Sequence, residues 1–212
     1  SRSTGSTIKP VIDYGPAIEY LNYSTGQTIM DQRTTYSNGV ELNNWDFSHK
    51  GAMTLRTALV YSRNTTALQT FKAVGETNIK SFLDNLDIQI KNDGQDYLVE
   101  SNSIGADISP IKMAAAYATF GNYGNYSKPY TVTKVTTRDG QVTEFKPEQK
   151  QAMKDSTAYM ITDVLKDSFK YGFATQAAIP GLPTAAKTGS SNYTVEQKRA
   201  MGASDYEDII PD

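Results

Sequence analysis

The chain has 212 residues, 38% of them hydrophobic, and a formal net charge of -2, which is enough for a real core in one or two domains. It has no cysteine, so disulfides, thiol catalysis and cysteine-ligated metals are excluded. Lysine and arginine are dispersed rather than striped, which argues against nucleic acid as a partner, and no stretch approaches the roughly 18 apolar residues of a membrane span.

Ser1 to Gly5 reads as a polar lead-in. Ser6 to Leu21 then reads as helix, with Ile8, Ile12, Tyr14, Ala17, Ile18 and Leu21 on an approximate stripe and Pro10 suited to the first turn. Asn22 to His49 is a polar excursion with turn signals at Thr25-Gly26 and Asn38-Gly39, expected to hold short strands or irregular structure. Helical patterning returns from Thr54 to Leu68, is interrupted by Ser62-Arg63-Asn64, and continues from Thr65 to Val74. Asn78 to Leu86 is a further short helix. Pro110 to Phe120 is the clearest one, with Ser109 as N-cap and Pro110 at the first position. Tyr130 to Val135 and Val142 to Phe145 read as a hairpin across Asp139-Gly140. Thr157 to Phe169 is the last long helix, and Ile179 to Pro183 a turn. Thr184 to Ser190 is expected to be a strand, Gln197 to Met201 a helical turn, and Ala203 to Asp212 a polar, acidic end. The whole reads as one largely helical domain with too few strands to give Thr184 to Ser190 the neighbours a sheet requires.

Three short motifs carry candidate chemistry. A serine nucleophile needs a group to take its proton. On a helix Ser6 and Lys9 share a face, with about 5–6 Å between their Cβ atoms, and Lys9 serves as that base only if burial or a second cation lowers its pKa from about 10.4. Lys187 is a candidate for that second cation. Ser62 adds a hydroxyl and Asn64 an amide; in regular helix they point about 200° apart, so joint use requires a junction. Arg63 between them points elsewhere and is structural or solvent-facing. Lys187-Thr188-Gly189-Ser190 sets a cation and two hydroxyls around a glycine that would let an acyl substrate approach the backbone. The Ser190 N–H could join that of Ser6 in holding an oxyanion. Each motif also has a plain reading as cap, helix interruption or turn, and Ser109 to Lys112 and Ser190 to Asn192 repeat two of the patterns elsewhere. His49, the single histidine, reads as a surface or capping residue, and Glu196, Asp205, Glu207 and Asp208 as a solvated acidic stretch.

Taken together and in order, these segments resemble the penicillin-binding transpeptidase domain of class A bifunctional peptidoglycan synthases, most of all those of streptococci. Gly5-Ser6-Thr7-Ile8-Lys9-Pro10 is similar to the G-S-T-x-K-P box, Ser62-Arg63-Asn64 to the S-x-N box after a T-L-R-x-A-L-like run at Thr54 to Leu59, and Lys187 to Ser190 to the third box. Ser109 to Phe120 resembles a structural helix of that family. The resemblance implies an α/β (α+β) serine β-lactamase/transpeptidase fold, here mainly its helical part. By the same resemblance Ser6 is the acylated nucleophile, Lys9 its base and Ser62 a proton relay, while Asn64 positions the substrate amide and Lys9. Lys187 then supplies positive field, and Thr188, Gly189 and Ser190 bind the substrate carboxylate region. The implied reaction is D-Ala-D-Ala transpeptidation or carboxypeptidation of peptidoglycan stem peptides, inhibited by β-lactams, without metal or organic cofactor. A β-lactamase or β-lactam sensor, and a non-catalytic binding module, are the alternatives on the same scaffold. Gly172-Phe173-Ala174-Thr175 departs from the family's G-T-G pattern, so this loop is expected to be altered. Residues 1–212 are expected to be an incomplete transpeptidase domain, truncated at both ends and inactive alone, with other segments of the same protein completing the sheet. The resemblance further implies a membrane anchor and a glycosyltransferase domain outside this chain. It places the site on the outer face of the bacterial cytoplasmic membrane, with division or elongation machinery as possible partners.

Overall fold

The computed structural model describes residues 2–191, 193 and 195–202. Its helices are α1 (Gly15–Leu21), α2 (Leu55–Val60), α3 (Asn64–Val74), α4 (Glu76–Asn85), α5 (Pro110–Gly121), α6 (Asp155–Asp167) and α7 (Val195–Ala200). The helix expected from Ser6 to Leu21 is one helical stretch with three pitches: a 3-10 turn over Gly5–Ile8, a π-helical turn over Pro10–Tyr14, then α1. Pro16 explains the wide middle turn. It has no N–H for the carbonyl one turn back and its ring would crowd that carbonyl, so the turn opens and Gly15 N–H bonds Pro10 O instead.

Pro10 to Tyr14 are all buried, and α3, α4 and α1 pack around this segment. Gly15 permits the close packing, since a Cβ there would lie 2.9 Å from the Phe82 ring of α4. One continuous core joins these elements to α2, α5 and α6 through Leu55, Leu59, Ile79, Ala116, Ile161 and Val164. The stretch carrying Ser6 and Lys9 therefore runs through the centre of the hydrophobic core. Burying these side chains is the main force that fixes its position.

The strands form five antiparallel pairs among the described residues: β1 (Arg2–Ser3) with β6 (Asp107–Ile108), β2 (Thr28–Asp31) with β5 (Gly51–Thr54), β3 (Thr34–Thr35) with β4 (Glu41–Leu42), β7 (Asn125–Ser127) with β10 (Gln149–Gln151), and β8 (Lys134–Thr136) with β9 (Val142–Glu144). The polar excursion is thus pinned at both sides by β2 and β5, and the Asp139-Gly140 hairpin forms with both strands exposed. The expected strand from Thr184 to Ser190 is corrected: it has no ladder partner among the described residues, so it is not a strand. A strand is defined by its pairing, and among the described residues the segment's backbone hydrogen bond to the body of the fold is that of Ala186 N–H, at 3.3 Å from Leu165 O in α6. Ser109 occupies the N-cap position of α5 without a side-chain cap bond; its carbonyl accepts from Lys112 and Met113 N–H instead. Asn192, Asp205, Glu207 and Asp208, named above as part of a repeated pattern and of an acidic stretch, lie outside the described residues.

Candidate active site

Two local features of the chain shape the site. Thr54 caps α2, its hydroxyl accepting from Thr57 N–H at 3.1 Å, and α2 ends at Val60. Ser62 then takes a left-handed conformation (φ 52), Arg63 is extended, and α3 starts at Asn64. The motif is therefore a helix junction, and this lets Ser62 and Asn64 face one way.

What they face is Lys9. Its Nζ lies 2.8 Å from Ser62 O, 3.3 Å from Ser62 Oγ, 3.3 Å from Arg63 O and 2.7 Å from Asn64 Oδ1. The side chain is fully buried, and burial pushes its pKa well below that of an ordinary lysine. The positive charge of Lys187 acts in the same direction, Asp13 opposes it, and Arg63 adds a smaller lowering. A neutral amine here has a lone pair to offer, which is what a base needs. Lys9 is bonded to the Ser62–Asn64 junction rather than to Ser6 Oγ, so the direct pairing expected from helical spacing is not made. The 3-10 turn keeps positions 6 and 9 on one face, and it is the four acceptors of the junction that draw the amine away.

Ser6 opens onto a cleft of about 440 Å³ shared with Ser62, Asn64, Thr188, Gly189 and Ser190, and with Trp45, Ile104 and Phe173. Lys187 is buried behind it, its Nζ donating to Thr188 O at 2.9 Å, and burial lowers its pKa to about 8. Glycines join the two parts. Gly5 (φ 49) has its Cα against the Ser190 backbone, where a Cβ would overlap the Ser190 carbonyl oxygen. A Cβ on Gly189 would meet Thr7 Cγ2 at 2.8 Å and Thr4 O at 2.9 Å. Gly189 thus allows the third motif to pack on the Ser6 turn while it lines the cleft. On the other side the Tyr117 hydroxyl of α5 donates to Thr7 O at 2.7 Å, bracing the same turn.

The sequence reading missed Trp45, Ile104 and the surroundings of Arg63. Trp45 and Phe173 meet edge to face at 5.1 Å between ring centroids, and the Trp45 indole N–H donates to Tyr61 O at 3.1 Å. The altered loop, Gly172 to Thr175, therefore forms part of the cleft wall. A lone tryptophan in a polar segment was a usable signal for an exposed aromatic contact. Arg63 is buried and ion-paired, hence structural. The repeat at Ser109 to Lys112 lies elsewhere, Lys112 Nζ donating to Asp87 O. His49 is exposed, with Nδ1 at 3.8 Å from Asp31 Oδ1.

A buried amine bonded to the hydroxyl and amide of a cleft that a second serine also lines is an arrangement able to support serine acyl transfer. The family model for the penicillin binding protein transpeptidase domain matches residues 1–206, and the chain belongs to that family. It is 42% identical over 194 residues to penicillin-binding protein 1A/1B of Bacillus subtilis, covering 89% of this chain and 21% of that protein. It is 41% identical over 203 residues to penicillin-binding protein 1A of Streptococcus oralis, covering 93% and 32% respectively. The expected streptococcal likeness is therefore shared with a bacillus. The D,D-transpeptidase domain of a peptidoglycan glycosyltransferase from Eggerthella lenta superposes with a TM-score of 0.75 at 21% identity, over 89% of this chain and 54% of that one. At that identity the likeness shows the fold, the mixed α/β transpeptidase fold with an unclosed sheet. The chain spans about a fifth to a third of the length of these curated relatives.

Proposed function

We propose that this chain is the acylating part of a D-Ala-D-Ala transpeptidase that cross-links peptidoglycan stem peptides and is inhibited by β-lactams. The observation that carries the reading is the Lys9 amine, buried and bonded to both Ser62 Oγ and Asn64 Oδ1 beside the cleft that Ser6 lines. In the reaction Ser6 Oγ attacks the carbonyl carbon of the penultimate D-alanine while its proton passes to Lys9. The N–H groups of Ser6 and Ser190 hold the oxyanion. Its collapse breaks the C–N bond, and Ser62 relays the Lys9 proton to the departing D-alanine amine. An acceptor amine then attacks the acyl-enzyme, and its proton returns through Lys9 to Ser6 Oγ. Asn64 orients the substrate amide and Lys9, Lys187 keeps the site positive, and Thr188 and Ser190 hydroxyls bind the substrate carboxylate beside Gly189.

The chain is, in this reading, an incomplete transpeptidase domain whose remaining strands come from elsewhere in the same protein. Support comes from the unpaired Thr184 to Ser190 segment and the small share of the relatives' length that is spanned. The complete protein is then a membrane-anchored, bifunctional peptidoglycan synthase acting outside the cytoplasmic membrane. Intact-protein mass spectrometry of the complete protein with a penicillin tests the core of this. One penicilloyl adduct is expected, lost in Ser6→Ala. An adduct that persists in Ser6→Ala removes Ser6 from its role.

A further inference from the structure

The Ser62–Asn64 junction bonds Lys9 with its carbonyls and the Asn64 side chain, and its N–H groups and flanking side chains are held from behind. Asp31, the last residue of β2, is fully buried there. Its Oδ1 accepts from Asn44 Nδ2 at 2.8 Å and Thr65 Oγ1 at 2.5 Å, and its Oδ2 from Arg63 Nε at 2.9 Å and Lys50 N–H at 2.9 Å. These four bonds match the roughly four lone-pair positions of a carboxylate. Asn44 continues the chain: its Oδ1 accepts the N–H groups of Asn64 (2.7 Å) and Thr65 (3.3 Å), the first two of α3. Arg63, at the N-cap of α3, makes no capping bond itself, so a distant loop residue caps the helix in its place. Arg63 is further fixed by Asp46 Oδ2 at 2.9 Å and by Ser48 O.

Resting on the reading of Lys9 as the base, we propose that Asp31, acting through Asn44, Arg63 and Thr65, is the positioning residue that aims the Ser62–Asn64 junction at Lys9. The Arg63–Asn64 peptide unit, whose carbonyl is one of the two backbone acceptors of Lys9, is tied through its N–H to Asn44 and so to this carboxylate, which also holds the Arg63 and Thr65 side chains on either side, so a tilt of the junction displaces Lys9, Ser62 Oγ and Asn64 Oδ1 together. Burial alone would push the Asp31 carboxyl up, but the hydrogen bonds from Thr65, Asn44 and Lys50 and the charge of Arg63 hold it below the usual range. It therefore stays an anion, accepting four donors at once. Asp31→Asn keeps the shape but presents an N–H₂ where a donor must be accepted. Stability does not require such a device, because a buried ion pair is often no better than apolar packing. Misplacing a reacting group by 1 Å, however, costs about 10²-fold in rate.

The test is stopped-flow acylation of the complete protein by a penicillin at saturating concentration, with end-point labelling and thermal midpoint measured beside it. Asp31→Asn and Asn44→Ala are expected to lower the first-order acylation rate constant, by about 10²-fold for Asp31→Asn, while the fraction of molecules finally labelled stays near that of the parent. Thr65→Val, which removes one bond, is expected to give a smaller drop that Thr65→Ser restores. A lowered labelled fraction or midpoint with an unchanged rate constant makes Asp31 a purely structural residue and overturns the proposal. Should Asp31→Asn fail to fold, equal rates in Thr65→Val and Thr65→Ser overturn it independently. A parent protein that takes no label at all instead overturns the reading of Ser6 and Lys9, and the proposal with it.

Discussion

Lys9 and Lys187 are both buried lysines of one cleft, but they are held in different ways. Lys9 Nζ has four acceptors on a segment more than 50 residues away, and that segment is fastened from behind by Asp31 and Asn44. Lys187 Nζ has the carbonyl of its own neighbour, Thr188, and its segment rests on the Ser6 turn through glycine contacts and the Ala186–Leu165 bond. The first half is fixed by directional bonds, the second by shape. Buried hydrogen-bonded networks are rigid because each member left unpaired pays for its desolvation. A packed segment without a ladder lacks that penalty and moves at lower cost.

The largest effect expected is on the bonded half. Lys9→Ala should slow acylation by roughly 10²–10⁴-fold, the usual contribution of general-base transfer, while the protein stays folded. Circular dichroism and the acylation rate, measured together, check this, and a normal rate would remove Lys9 from the chemistry. The contact between the halves is probed by Gly5→Ala. Its Cβ would overlap Ser190 O, and φ 49 is a conformation that alanine adopts only under strain. Acylation should fall by about tenfold or more as the third motif is pushed off the Ser6 turn. A second-order acylation rate equal to the parent's would mean that the two halves work without this contact.

The mildest effect is a displacement on the pH axis. A base works when neutral, so acylation rises as pH climbs through the pKa of Lys9, and it falls again as Lys187 loses its proton near pH 8. The Lys187 charge is the second largest cause of the lowered Lys9 pKa, after burial. Removing it in Lys187→Ala should therefore move the acid limb of the acylation profile to higher pH and abolish the limb near pH 8. An acid limb that stays in place would show that Lys187 does not act on Lys9 through charge. Asp13 has no such visible task. It is buried, neither of its oxygens has a partner among the described residues, and burial pushes its pKa well above that of an ordinary carboxyl, against the pull of Lys9.

Much of the helical framework was legible because apolar spacing and caps are local. The interruption at Ser62-Arg63-Asn64, the Pro110 start of α5 and the Asp139-Gly140 turn all follow from neighbours in sequence. The motif order identified Ser6, Ser62, Asn64, Thr188, Gly189 and Ser190 of the cleft but neither Trp45 nor Ile104. The three pitches of the first helical stretch were not legible, since they arise from Pro16 acting on the preceding turn while the core closes around Pro10 to Tyr14. The lack of a ladder partner for Thr184 to Ser190 among the described residues was legible, because the sequence offers too few other strands to pair with it.

Asp31 and Asn44 show the limit most clearly. In sequence they are polar residues of a polar excursion, indistinguishable from their solvated neighbours. The fold buries both, because the pairing of β2 with β5 brings that loop against the start of α3. The sequence by itself determined which chemical groups are present and which helices carry them, since those depend on residue type and near-neighbour spacing. The tertiary structure decided which polar groups leave water and which cation each one faces. Burial and charge proximity are sums over atoms from distant parts of the chain, and they set whether Lys9 is a solvated ammonium or a buried amine able to accept a proton.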